Sequence, residues 1–371
     1  MAQVPTIDVQ TLAAWLTGKH PLMMLDVRPL GQRMEWSIHG SVHVDAHDSL
    51  WSNRPEVLDV VALPHDLPIV AICAAGKTSL LAAAYLQGRG YDALSLEGGM
   101  QAWSLAWNTA DVPVEGTSAR ITQVRRLGKG CLSYLIQQND RLAVIDPSLP
   151  VAAYQRLAAE RGAAITDVLE THIHADHLSR ARALAEATRA SLWLPAQRRT
   201  GFSANALFDG DEVAFGPSTI RALATPGHTA ESVCYLLDER VLFSGDTVSL
   251  DGIGRPDLAQ NPAGAEAQSG QLYHSLQRLW ALPGAYWVLP AHTGESLHLH
   301  DGPIAAPLEA LQDRFHDVRL SQAAFVERVL SRLPATPANY RTIIRLNELG
   351  RWQEDRDRAL EVGANRCTIG A

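Results

Sequence analysis

Residues 171–177 read Thr-His-Ile-His-Ala-Asp-His, so three imidazoles and one carboxylate stand in one short stretch. Imidazole and carboxylate groups are the ligands that zinc and non-haem iron take in proteins. Residues two apart on an extended backbone point the same way, so His172 and His174 can face one ion. Asp176 and His177 follow where the chain turns toward a helix-like segment, and they can face a neighbouring position. The stretch therefore predicts a metal site.

Three further motifs follow in order and place His228 on a tight turn, Asp246 at the end of an apolar strand, and His292 after another strand. One His-x-His pair alone would favour a polar turn with solvated histidines. Seven ligand-type side chains in four ordered motifs favour a metal centre instead. This order resembles the metallo-β-lactamase superfamily, which implies an αββα sandwich and bound metal but leaves the reaction open.

The composition limits the function classes. A chain of 371 residues is long enough for two domains, and a net charge of −8 argues against a nucleic-acid partner. Four scattered cysteines, Cys73, Cys131, Cys234 and Cys367, predict no disulfide framework and a reducing compartment. The first residues lack the pattern of a signal peptide, and no apolar run is long enough to span a membrane. We expect a cytoplasmic protein without a membrane partner.

Residues 1–115 alternate strand and helix patterns, which predicts an α/β domain with a parallel sheet. An apolar strand stops at Cys73, and the loop Cys73-Ala74-Ala75-Gly76-Lys77-Thr78-Ser79 leads into a helix. The helix N-terminus, the loop N–H groups and Lys77 should lower the thiol pKa. A buried structural cysteine is the alternative. A phosphate-binding loop is rejected, because the first glycine of that motif would fall on Ala71.

This domain resembles a single rhodanese, or sulfurtransferase, domain over about residues 5–110. The matching pieces are Leu25-Asp26-Val27-Arg28, Ile38-His39-Gly40-Ser41, the Cys73 loop, and Leu96-Glu97-Gly98-Gly99 with Trp103. The resemblance implies that Cys73 carries sulfane sulfur as a persulfide, with Gly76, Lys77 and Thr78 around the substrate. Residues 111–120 have the composition of a linker.

Residues 120–371 form the predicted second domain, an α+β unit with a strand-rich core at about 120–300 and a helical tail at 301–371. The tail is expected to cover the sandwich or to join a subunit interface. Cys131 and Cys234 lie in apolar strands, and we interpret both as core residues. Cys367 in the tail receives no assignment from its pattern.

Two chemistries fit the ligands. In a glyoxalase II-like thioester hydrolase, one Zn²⁺ would be held by His172, His174 and His228 and a second by Asp176, His177 and His292, with Asp246 bridging. In a persulfide dioxygenase, one Fe(II) per chain would be held by His172, His228 and Asp246 alone. The other four ligand-type residues would then support these three by hydrogen bonds.

Three features favour the dioxygenase, which converts a thiol persulfide and O₂ to sulfite and thiol. Residues 251–257 resemble the G-x-G-R-x-D segment of these enzymes, which implies that Arg255 meets a substrate carboxylate, although a structural arginine is the alternative. The ending Ala-Asn-Arg-Cys at 364–367 resembles theirs but is one residue shorter. A fused sulfurtransferase also shares a sulfur pathway with a persulfide oxidase.

The expected partners are therefore a small thiol persulfide, thiosulfate and O₂, and the resemblance suggests a homodimer. One position departs from the pattern. Glutathione-using relatives carry a tyrosine two residues after the last histidine, where this chain has Gly294. Glutathione is then not the expected carrier, and another thiol or the Cys73 persulfide itself takes that place.

Overall fold

A computed structural model describes residues 4–258, 262–293, 302–337, 339–363 and 365–370. Gly294 and Ala364, which the sequence singled out, lie outside these ranges.

The first domain is a parallel sheet of five strands in the order β1-β5-β4-β2-β3, which confirms the predicted α/β fold. Successive residues of a strand point to opposite faces, so Ala71 packs on one side of the sheet and Val70 and Ile72 on the other. Both faces are covered by helices. The elements are β1 (Thr6–Ile7), α1 (Val9–Thr17), β2 (Met23–Asp26), α2 (Leu30–Glu35), β3 (Val42–His43), α3 (His47–Trp51), a 3₁₀ helix (Pro55–Val60), β4 (Ile69–Ile72), α4 (Thr78–Gly88), β5 (Ala93–Leu96) and α5 (Gly99–Trp103).

The second domain opens with a sheet of seven strands in the order β12-β11-β10-β9-β8-β7-β6. Its first strand spans residues 107–112 and so overlaps the first two residues of the predicted linker at 111–120. Residues 107–112 pair with residues 121–126 along their whole length, so the sheet already begins at Trp107, and the linker prediction for residues 111 and 112 is wrong. The elements are β6 (Trp107–Val112), β7 (Arg120–Arg126), β8 (Leu132–Gln138), β9 (Arg141–Ile145), α6 (Val151–Glu160), β10 (Ala164–Leu169), α7 (Ala181–Thr188), β11 (Ser191–Pro195) and β12 (Asn205–Leu207).

A second sheet of six strands, in the order β13-β14-β15-β16-β18-β19, packs against the first. Its members and the next elements are β13 (Glu212–Phe215), β14 (Ser218–Ala224), β15 (Val233–Leu237), β16 (Val241–Gly245), β17 (Gly252–Gly254), α8 (Pro262–Trp280), β18 (Trp287–Pro290) and β19 (Ala306–Pro307). Ile136 and Ile145 of the first sheet meet Tyr235 and Phe243 of the second in one buried core. The predicted sandwich is confirmed, with helices on both outer faces.

The C-terminal region is mostly helical, as predicted, and it covers the sandwich. Phe325 packs with Leu276 of α8 in the outer core, the hydrophobic cluster between the second sheet and the helices on its outer face. Asn347 contacts the loop of residues 171–177. The elements are α9 (Leu308–Arg314), a 3₁₀ helix (His316–Arg319), α10 (Gln322–Ser331), α11 (Tyr340–Leu349), α12 (Glu354–Asp357), a 3₁₀ helix (Arg358–Glu361) and β20 (Thr368–Gly370), which pairs with β17. Across the described residues, no helix is both long and apolar enough to cross a membrane.

Candidate metal centre and sulfur-transfer loop

The predicted metal ligands converge because four segments end at one edge of the sandwich. The loop of residues 171–177 leaves β10, His228 follows β14, Asp246 follows β16, and His292 follows β18. Strand ends that meet at one edge bring side chains together from distant parts of the chain.

His172, His228 and Asp246 form a compact set of possible ligands. The Asp246 Oδ2 atom lies 3.5 Å from His228 Nε2 and 3.7 Å from His172 Nε2. All three atoms are buried, and none has a hydrogen-bond partner within the described residues. Buried polar atoms normally have partners, so three such atoms facing one another fit a bound cation.

The neighbours of both histidines fix where their protons lie. His228 Nδ1 lies 2.9 Å from the Arg255 carbonyl, which only accepts, so Nδ1 carries the proton. The Thr171 hydroxyl donates to Asp146 at 2.8 Å and therefore accepts from His172 Nδ1 at 3.0 Å. Burial lowers the pKa of His172 well below its usual value and also lowers that of His228. Both Nε2 atoms then present lone pairs beside a carboxylate, which is the donor set that a divalent cation takes.

His292 lies between two carboxylates. Its Nδ1 is 2.5 Å from Asp246 Oδ1, and its Nε2 is 2.8 Å from Asp176 Oδ2. Burial acts to lower the pKa of His292, but the charges of Asp176 and Asp246 outweigh it and raise the pKa well above its usual value. The contact leaves Asp246 Oδ2 as the oxygen that faces His172 and His228.

His174 and His177 are also held by carboxylates. His174 Nε2 lies 2.8 Å from Glu170 Oε2 and 3.3 Å from Asp146 Oδ1, and His177 Nδ1 lies 3.1 Å from Asp176 Oδ1. The remaining nitrogens, His174 Nδ1 and His177 Nε2, have no partner within the described part of the chain. In the two-zinc arrangement, His174 would belong to the first ion and His177 to the second.

Cys131 is buried, as predicted, but it also lies beside the metal-binding loop, which the sequence did not indicate. Its Sγ lies 3.4 Å from Asp176 Oδ2 and 3.8 Å from His177 Nδ1, because an isolated bridge between Cys131 and His292 brings β8 to this edge. Burial and Asp176 oppose ionisation, but His177 brings the pKa of the thiol to about 7. Cys234 is buried in the outer core, as predicted. Cys367 is buried beside Ala175 of the metal-binding loop.

Arg255 is held by protein partners in this structure, which favours the structural arginine that the sequence left as the alternative. Its guanidinium is fully buried and forms a two-pronged contact with Asp257 at 2.8 and 2.9 Å. It also donates to the carbonyls of Pro334, Ala335 and Arg366. Its own carbonyl accepts the His228 proton, so Arg255 fixes the chain beside a metal ligand. The segment requires a glycine at position 254, because an added Cβ would lie 2.7 Å from His228 Cβ.

The sequence analysis missed three residues that hold the metal-binding loop in place. Asp146 accepts from the Thr171 amide, Glu170 contacts His174, and Asn347 donates to the carbonyls of His174 and His177 at 2.9 Å. Asp146 and Glu170 each follow an apolar strand directly, and that pattern could have indicated them. The pattern of α11 gives no comparable signal for Asn347.

The predicted sulfur-transfer loop lies at the carboxyl end of β4, with α4 beginning at Thr78. Cys73 is buried, and its Sγ lies 3.2 Å from Ser79 Oγ. The carbonyls of Cys73 and Ala74 accept from the first turn of α5. Gly99 permits this approach, because an added Cβ would lie 2.2 Å from the Cys73 carbonyl. Gly76, which has a positive φ, and Lys77 complete the turn.

Comparisons with known proteins agree with this architecture. Residues 127–292 match the metallo-beta-lactamase superfamily, and residues 8–106 match the rhodanese-like domain. The chain therefore belongs to the metallo-β-lactamase superfamily and carries a rhodanese-like domain in front of it. Over 196 residues it is 34% identical to the hydroxyacylglutathione hydrolase of Pseudomonas entomophila, which covers 49% of this chain and 72% of that protein.

A further relative carries a different activity in its name, and a solved structure shares the name ETHE1 with it. The chain is 32% identical over 174 residues to the mitochondrial persulfide dioxygenase ETHE1 of Bos taurus, covering 44% of this chain and 65% of that protein. The crystal structure of ETHE1 from Myxococcus xanthus aligns with a TM-score of 0.53 and 28% identity, covering 62% of this chain and 97% of that one. The family and fold are thus shared by relatives of two reaction classes.

Proposed function

We propose that this protein is an Fe(II)-dependent persulfide dioxygenase joined to a sulfurtransferase domain. The carrying observation is the contrast among the buried histidines. Burial lowers the pKa of His172 and of His228, and their Nε2 atoms face Asp246 Oδ2 without a hydrogen-bond partner in the described residues, whereas carboxylates flank His292 on both sides. Two histidines and one carboxylate leave half of an octahedral shell open, which suits a metal that must take both O₂ and a substrate.

The residues around this set have separate tasks. A ferrous ion held by His172, His228 and Asp246 would supply the redox chemistry with O₂. His292 fixes the Asp246 carboxylate through Oδ1, while Arg255 and Thr171 fix the two imidazoles through their Nδ1 atoms. Burial of the whole set keeps bulk water from the reacting sulfur.

The fused domain supports the same sulfur chemistry. Cys73 would exchange sulfane sulfur with a small thiol persulfide or thiosulfate, which brings sulfur in the oxidation state that a persulfide dioxygenase consumes. The four cysteines are free thiols, which fits the reducing, cytoplasmic location that we propose. The homodimer expected from the resemblance stays a prediction.

A dinuclear zinc thioester hydrolase is the second candidate. It is favoured by the unpartnered His174 Nδ1 atom, which could face the first ion, by the unpartnered His177 Nε2 atom, which could face the second, and by the likeness to hydroxyacylglutathione hydrolases. Asp176, His177 and His292 lie close enough together to hold that second ion, so the metal content decides between the two candidates.

Metal content and oxygen uptake separate the two candidates. The full chain would be loaded anaerobically with Fe(II), analysed for metal, and then mixed with O₂ and a thiol persulfide. We expect about one iron per chain and oxygen uptake matched by sulfite. Protein loaded with Zn²⁺ would be given a glutathione thioester in parallel. Two zinc ions per chain with rapid thioester hydrolysis, and no oxygen uptake by the iron form, would overturn the proposal.

A further inference from the structure

The Cys73 loop carries little positive charge. Among residues 73–79, Lys77 is the one charged side chain, and it is exposed to solvent. Ala74 is half-buried and Ala75 is exposed, so two positions beside the thiol carry only methyl groups. A dianion such as thiosulfate would meet one solvated cation, the loop N–H groups and the N-terminus of α4.

The hydroxyl that contacts the sulfur is also uncharged. Ser95 Oγ donates to Ser79 Oγ at 2.8 Å, which leaves the Ser79 proton free to point at Cys73 Sγ, 3.2 Å away. A hydroxyl donor can stabilise a thiolate or a persulfide anion on Cys73. It adds no net charge to attract a dianion from solution.

An apolar surface borders this loop. Trp51 at the end of α3 is 58% exposed, and Leu80 and Leu81 at the start of α4 are 37% and 39% exposed. The indole is fixed on the loop, because Trp51 Nε1 donates to Thr78 Oγ1 at 3.0 Å. A fixed, exposed aromatic ring on the Cys73 loop offers contact area to the organic part of a donor. Thiosulfate has no such part.

We propose that Cys73 takes its sulfur from an organic thiol persulfide with an uncharged body next to the sulfur, in preference to thiosulfate. This inference rests on the proposed sulfur-transfer function and names the substrate class of that site. The Cys73 thiolate attacks the terminal sulfur of the donor persulfide anion. The sulfur–sulfur bond of the donor breaks, a new one forms on Cys73, and the donor leaves as a thiolate, so no oxidant or reductant is consumed.

The first test measures loading of the full-length iron protein without O₂, so that oxidation at the metal centre does not contribute. The probes are the persulfide of N-acetylcysteamine, which is neutral beside the sulfur, and thiosulfate. The gain of one sulfur on the intact chain is followed by mass spectrometry, with Cys73→Ser as background. We expect loading from the organic persulfide to be at least about tenfold faster, a difference of about 1.4 kcal/mol. Faster loading from thiosulfate would overturn the substrate class while leaving sulfur transfer intact.

Substitutions on the loop give a gain of function. Ala75→Arg places a second cation beside the thiol, and we expect about tenfold faster loading from thiosulfate, weakened by added salt. Ala75→Gln adds similar length without charge and should give no such gain. If both variants load thiosulfate as the parent protein does, charge does not set the preference and the proposal fails.

Substitutions at the apolar border test the organic contact. Trp51→Ala should slow loading from the organic persulfide about fivefold and change loading from thiosulfate less than twofold. Trp51→Phe keeps an aromatic ring and should recover part of the rate. Phe208→Ala removes an equally exposed ring in the second domain and serves as the control. Equal losses on both donors would assign Trp51 a structural role and contradict the proposal. No loading of Cys73 from either donor would instead reject the sulfur-transfer function itself.

Discussion

The two reactive sites are built in opposite ways. The Cys73 loop is one run of residues at the end of one strand, and its border is open to solvent. The metal centre gathers ligands from four strand ends and is closed by the C-terminal region. The first site depends on local sequence, whereas the second depends on the packing of the whole second domain. Changes at the metal centre should therefore alter the stability and the metal binding of the second domain, while changes at the Cys73 loop should alter only sulfur transfer.

The largest effect is expected at the centre itself. Asp246→Asn removes the carboxylate charge that faces His172 and His228, and we expect the iron content after dialysis to fall from about one to near zero. Loss of a side chain that only hydrogen-bonds to a metal ligand lowers metal affinity about tenfold to hundredfold, and loss of a direct ligand should lower it further. Loading of Cys73 from a persulfide should remain within twofold, and its loss would show that the sites are not independent.

A change at the Cys73 loop should be equally selective and should spare the metal centre. Cys73→Ser should abolish sulfur transfer, because a hydroxyl cannot form the persulfide, and should leave oxygen uptake with a free thiol persulfide within twofold. The assay compares both activities on one preparation. Loss of both activities in this variant would mean that sulfur reaches the metal centre only through Cys73.

The same difference explains what the sequence could predict. Local patterns indicate the parallel sheet, the sandwich and the ligand types, because each depends on short-range periodicity or on one motif. The sequence did not indicate that Cys131 lies beside Asp176, because this position results from a bridge to His292, far away in sequence. The sequence did not indicate the protein partners of Arg255, because Pro334 and Arg366 lie in the C-terminal region.

A buried ion cluster joins the C-terminal region to the metal-binding loop and gives the next effect. Glu361 accepts from Arg126, Arg180 and the Leu178 amide, at 3.0, 2.6 and 2.9 Å. Glu361→Gln leaves two buried guanidinium groups short of a counter-charge, and we expect a loss of about 3–5 kcal/mol in unfolding free energy. Glu354→Gln, at a more exposed contact of Arg180, should cost under about 1 kcal/mol.

The pH dependence of this cluster follows from Glu361. Burial alone would raise its pKa, but Arg126 and Arg180 outweigh burial and hold the pKa well below its usual value of 4.5. A lowered folded-state pKa adds stability above pH 4.5, and this stability is lost as the pH falls below that value. Urea unfolding at pH 7 and at lower pH should show that the difference in unfolding free energy between the parent protein and Glu361→Gln becomes smaller. A difference that stays constant would contradict a negative charge on Glu361.

The smallest effect is expected at Arg255, and it separates the structural role seen here from the substrate contact expected from the sequence. Arg255→Lys cannot reproduce the two-pronged contact with Asp257 together with three carbonyl contacts, so the carbonyl that orients His228 should shift. We expect iron affinity to fall about tenfold to hundredfold, with equal effects on KM for thiol persulfides with and without a carboxylate. Competition with an iron chelator and oxygen uptake measure the two quantities. Unchanged iron affinity with a KM raised only for carboxylate-bearing persulfides would support a direct contact between Arg255 and the substrate. Only a guanidinium that faces the substrate can distinguish persulfides with a carboxylate from those without one.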